Sequence, residues 1–102
     1  MTDRELLERA ARAASLDVEW TAGEPFLGEQ IWNPLQSDAD AFRLMAKLNL
    51  NLGFELDDEG LYVHVLGIWD GGPDEVREYF ERDATSAMRR AIVRAAAAMV
   101  EV

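Results

Sequence analysis

The chain of 102 residues contains no cysteine, only one histidine and three prolines, and no long apolar run. The missing cysteine removes disulfides, thiolate metal sites and cysteine nucleophiles together. A lone histidine, His64, excludes a His–His metal pair. No apolar stretch comes near the roughly 20 residues of a membrane span, so no membrane partner is expected. Basic side chains are scarce too: 10 Lys and Arg stand against 20 Asp and Glu, a formal charge of −10. That excess repels phosphate backbones and speaks against direct contact with nucleic acid or anionic lipid. Phosphate-cradling loops are also lacking, since Asp70-Gly71-Gly72-Pro73 has no following lysine. None of the serines (Ser15, Ser37, Ser86) lies in a Gly-x-Ser-x-Gly elbow. The expectation is a protein that is not an enzyme and carries no cofactor.

What is present suits one soluble domain over residues 1–102, with half the side chains apolar (49%) and 29% charged. Thr2 and Glu5 have capping-box spacing, and Leu6, Leu7, Ala10, Ala11 and Ala14 follow at helical intervals, predicting a helix over 2–15. Residues 17–20 alternate like a strand, 21–25 carry turn chemistry, and Phe26 to Trp32 reads as a second strand ended by Asn33-Pro34. Ser37 opens a second helix whose stripe is Ala41, Leu44, Met45 and Leu48, widened by Phe42. Leu50, Leu52, Phe54 and Leu56 alternate with polar residues, Asp58-Glu59-Gly60 turns, and Leu61 to Trp69 returns, a hairpin over 50–69. Residues 74–82 fit a short helix or a fifth, edge strand. A last helix covers 84–100 behind Asp83 or Thr85. The predicted fold is α+β, order αββαββα, with an antiparallel sheet of four or five strands packed by helices.

Chemistry-bearing residues are few. His64 lies inside a strand with no assignable partner, the setting of a packed or surface histidine. Asp38-x-Asp40 could hold a divalent cation, but a helix cap and dipole complement accounts for both. Asp57-Asp58-Glu59-Gly60 resembles half a calcium loop without its ligand spacing and reads as a solvated turn. No metal site is therefore assigned. Arg89, Arg90 and Arg94 form a basic face suited to pairing with the protein's own acids. Ala95 to Ala98 would let another helix approach closely, as in a homodimer. The acidic stretch is the most promising feature. Residues 55–83 hold ten acidic side chains against Arg77 and Arg82, a local −8, so the remaining residues carry only −2. The segment 70–83 joins the last hairpin to the last helix. Asp70, Asp74, Glu75, Glu78 and Glu81, with Tyr79 and Phe80 as aromatic anchors, form the candidate partner surface.

Two blocks carry a family resemblance. Trp32-Asn33-Pro34-Leu35 continues through Asp38-Ala39-Asp40-Ala41-Phe42-Arg43-Leu44 to Lys47-Leu48, and Arg89-Arg90-Ala91-Ile92-Val93-Arg94-Ala95-Ala96 lies near the other end. With the leading alanine-rich helix, they resemble the phage ABA-sandwich domain proteins. Ala39 stands where that family has glycine, and Ala87-Met88 where it has Ala-Thr. The resemblance implies an α+β fold and a phage or prophage origin, hence the cytoplasm of a bacterial host. Combined with the acidic stretch, it leads to a non-enzymatic accessory protein. Such a protein would bind and inhibit a host nucleic-acid-handling or defence protein, such as a CRISPR effector complex. The alternative is a homo-oligomeric interaction module without an inhibitory role.

Overall fold

The computed structural model describes the backbone of residues 1–69 and 72–100, and the side chains of 1–67 and 75–100. Helix α1 (Asp3–Ala13) starts at the expected capping box: the Thr2 hydroxyl accepts from the Glu5 amide, and the Glu5 carboxylate accepts from the Thr2 amide. Helix α2 (Asp38–Lys47) is capped by Ser37, whose Oγ accepts from the Asp40 amide at 3.2 Å. Both helices end in the same way. Ser15 (φ 57°) and Asn49 (φ 54°) turn left-handed, and the amides of Leu16 and Leu50 reach back to the carbonyls of Ala11 and Met45. This Schellman geometry closes the orphan carbonyls without a glycine.

The strands number six among the described residues, in two antiparallel sheets of three, where one sheet of four or five was expected. The first is a small meander of β1 (Glu19–Thr21), β2 (Glu24–Leu27) and β3 (Gln30–Ile31). Ala22 and Gly23 both have positive φ, as a tight two-residue hairpin turn requires. The expected single strand over Phe26–Trp32 breaks at Gly28 (φ 66°), so Ile31 folds back against Phe26. The second sheet is a larger meander of β4 (Asn51–Asp57), β5 (Gly60–Trp69) and β6 (Gly72–Tyr79). The 74–82 segment is thus an edge strand through Tyr79, not a helix. The order becomes αβββαβββα.

Helix α3 (Ala84–Ala98), capped by the Asp83 carboxylate on the Ser86 amide, packs against α1, α2, β5 and β6. Ala91, Ile92 and Val93 are all buried, as are Ala95, Ala96 and Ala97. Three consecutive residues point in three directions around a helix, so α3 is enclosed on most of its circumference. Its alanines sit in the same core as Ala10 and Ala11 of α1, and the helix that approaches them closely belongs to the same chain. Ala95, Ala96 and Ala97 are therefore not available as an intermolecular seam. Trp32, Leu44, Val63 and Val65 complete the core. Phe42, expected in the α2 stripe, is 61% exposed; it sits one residue past the buried Ala41 and two before Leu44, off the inward face. The Cα radius of gyration is 13.4 Å, close to the about 13 Å of one domain of this length. No helix among the described residues is long and apolar enough to cross a membrane.

Candidate interaction surface

Strand alternation gives the β4–β6 sheet two unlike faces. The outer one carries Gly53, Glu55 and Asp57 from β4, Tyr62 and His64 from β5, and Glu75, Arg77 and Tyr79 from β6. Asp57 anchors it. One carboxylate oxygen accepts from the amides of Glu59 (2.8 Å) and Gly60 (3.2 Å), and the other from the Tyr79 hydroxyl (2.8 Å). The Tyr79 hydrogen bond and those two amides hold the Asp57 carboxyl below its ordinary range, while the same bond pushes the Tyr79 phenol up. The Tyr62 hydroxyl donates to Glu55 at 2.8 Å, which raises its pKa in turn. The Arg77 guanidinium lies 4.8 Å over the Tyr62 ring and pairs with Glu75 at 2.8 Å. His64 fits only because residue 53 is glycine: a Cβ there would lie 2.5 Å from the imidazole Nε2.

These contacts answer the chemical candidates. Both oxygens of Asp57 are occupied by the turn and by Tyr79, so residues 57–60 form a hairpin turn. Asp38 takes Arg89 at 2.6 Å, while Asp40 accepts from the Asn33 amide at 2.9 Å and from Arg43; both lie in the first turn of α2, which Ser37 caps. No group of three or more His, Asp or Glu among the described residues could hold a metal ion. His64 has Glu55 at 3.9 Å and the Tyr62 ring at 6.1 Å. Ser37 and Ser86 act at helix starts. Arg89, Arg90 and Arg94 pair with the protein's own carboxylates, as the basic face suggested: Asp38, Asp3 and Glu78 respectively.

The inner face continues past the core. Along β4, exposure climbs from 7% at Leu50, just before the strand, to 53% at Phe54 and 71% at Leu56. Leu61, opposite Leu56, is 44% exposed, whereas Val63 and Val65 further along β5 are fully buried. Phe80 is half-buried and meets Phe54 edge to face at 6.1 Å. Leu56, Leu61, Tyr79 and Phe80 line a hollow of about 620 Å³, with Glu59 and Glu81 at its margin. Asp58, Glu59 and Glu81 are exposed. The hairpin end is thus an apolar patch bordered by carboxylates.

The residues expected to act together are divided: Tyr79, Phe80 and Glu81 border the hairpin-end hollow, whereas Glu75 and Glu78 lie on opposite faces of β6 away from it. Glu75 and Tyr79 point to the outer face. Glu78 and Phe80 point inward, with Glu78 between Arg90 and Arg94. Glu81 is exposed beyond the strand. Asp70 lies outside the described residues; Asp74 stands opposite Gly67 in β6, its side chain likewise outside them. Period-two alternation divides what a linear charge run joins. Phe54, Leu56 and Leu61 belong to the alternating apolar positions of the hairpin but are exposed. Their signal was the position beside the turn, where a meander outruns its covering helix.

The fold and this surface define a small α+β protein with a charged open sheet face and an acid-bordered apolar end. No protein-family model, curated protein or solved structure matches the chain.

Proposed function

We propose that the protein is a non-enzymatic binder that docks its acidic hairpin end onto a basic surface of a partner protein. The observation that carries this reading is the exposure of Phe54, Leu56 and Leu61 on one face beside Asp58, Glu59 and Glu81. Exposed apolar side chains that adjoin one another mark contact surfaces, and a rim of one charge sign selects and steers a partner of the other sign. Basic grooves of this kind are what nucleic-acid-handling proteins present to phosphate. The resemblance of the Trp32–Leu48 and Arg89–Ala96 blocks to phage proteins supplies the setting, with a host defence protein such as a CRISPR effector as target. Self-association through the same patch is disfavoured, because two copies would bring like-charged rims together.

Capture from a bacterial lysate at low and high salt, with wild type compared against Leu56→Ser and a Glu59→Lys/Glu81→Lys double variant, tests the reading. A basic partner retained by wild type, lost with Leu56→Ser and weakened by charge reversal is the expected result. Equal capture by all three proteins would refute it. So would sedimentation showing wild type, but not Leu56→Ser, as a dimer.

A further inference from the structure

Further along the inner side of β6, side chains of α1, β6 and α3 line an open cleft of about 410 Å³, among them Arg9, Arg90, Arg94 and Glu78. Leu6 and Ala97 supply apolar wall. Glu78 is held by Arg94 at 2.5 Å and lies 3.9 Å from Arg90, which also reaches Asp3 at 3.3 Å. Arg9 is half-buried, and among the described residues no carboxylate lies within 4.0 Å of it. Among the described residues, three guanidinium groups thus line the cleft with Glu78, while Asp3 meets Arg90 beside it, in a protein whose formal charge is −10.

We propose that this cleft binds a small organic carboxylate on an apolar stem. Its carboxylate is received by Arg9 and Arg90, and its stem lies along Leu6 and Ala97. Glu78 already sits as a carboxylate beside Arg94 and Arg90, and a carboxylate is the group whose two oxygens match a guanidinium fork. A phosphate dianion is disfavoured, because Glu78 and Asp3 oppose a second charge. The volume falls within the roughly 300–1,000 Å³ of small-molecule pockets, and the wall is apolar beside a few convergent polar groups, as such sites are.

Isothermal titration of the full chain with octanoate, and with octanol as its uncharged match, tests the proposal. Octanoate is expected to bind saturably at one site and octanol not to. Arg9→Ala should weaken octanoate by about tenfold or more while leaving the melting temperature unchanged, since Arg9 holds no ion pair among the described residues. Absence of saturable octanoate binding at millimolar concentration overturns the proposal. Equal binding of octanol, or unaltered octanoate affinity in Arg9→Ala, does the same. Displacement of octanoate by an equal concentration of inorganic phosphate overturns the preference for a carboxylate.

Discussion

Ile92 and Leu56 are aliphatic residues of the same size in opposite settings: the first is 1% exposed in the centre of α3, the second 71% exposed at the hairpin end. Ile92→Ala removes three carbons from packed interior. At about 0.8 kcal/mol per buried methylene the transfer loss is about 2.4 kcal/mol, and the residual cavity brings the total to about 3–4 kcal/mol. For a domain of this length each kcal/mol moves the melting temperature by about 4–8 °C, so a fall of about 12–30 °C is expected. Leu56→Ser removes comparable apolar volume that is mostly in water already, and its cost should stay within about 0.5 kcal/mol. Urea unfolding followed by circular dichroism reads both changes as midpoint shifts at constant slope. A loss above about 1.5 kcal/mol in Leu56→Ser would put that residue in the core and remove it from the docking patch. A loss below about 1 kcal/mol in Ile92→Ala would refute the enclosure of α3.

Gly53→Ala drives a Cβ to 2.5 Å from the His64 Nε2, so the imidazole must leave its place beside Tyr62. A loss of about 1 kcal/mol is expected, with displaced His64 ring signals in NMR spectra; unchanged signals with unchanged stability would contradict the close approach. Asp57 has its carboxyl held below the ordinary carboxylate range, chiefly by the Tyr79 hydroxyl. The stabilisation it contributes is therefore complete above its unfolded value and disappears as pH falls through the lowered one. Asp57→Asn should flatten the acid limb of a melting-temperature profile taken between about pH 2 and pH 6, and an unaltered limb would show that Asp57 does not shape it. Ser15 adopts φ 57° at an exposed helix end. Ser15→Gly should raise stability by about 0.5–1 kcal/mol in thermal melts, and a destabilised variant would argue against the left-handed cap.

The helices were legible because their signals are local. Thr2 with Glu5, Ser37 with Asp40, and Asp83 with Ser86 each make cap contacts within a few residues, and the helices begin where those residues stand. The β4–β5 hairpin was equally plain from its alternation and its turn. Two features were ambiguous in one dimension. Gly28 can sit within a strand or turn it, and only the pairing of Ile31 with Phe26 selects the turn. Val76, Tyr79 and Phe80 fit helical spacing, while Val76, Glu78 and Phe80 fit strand spacing. The open edge of the long β5 strand offers backbone partners that a short isolated helix lacks, and the segment becomes β6.

Composition had already set the charge, the absence of thiol chemistry and the concentration of acid in residues 55–83. Those are sums over residue types and need no coordinates. Which acids face a partner is a different kind of question, since it depends on the side of the sheet each occupies. Pairing β6 beside β5 turned Glu78 in to Arg90 and Arg94, tied Tyr79 to Asp57, and left the hairpin end to Asp58, Glu59 and Glu81. It also left Phe54, Leu56 and Leu61 in solvent, because burial depends on where a covering helix stops, and that is set by packing between segments far apart in the chain.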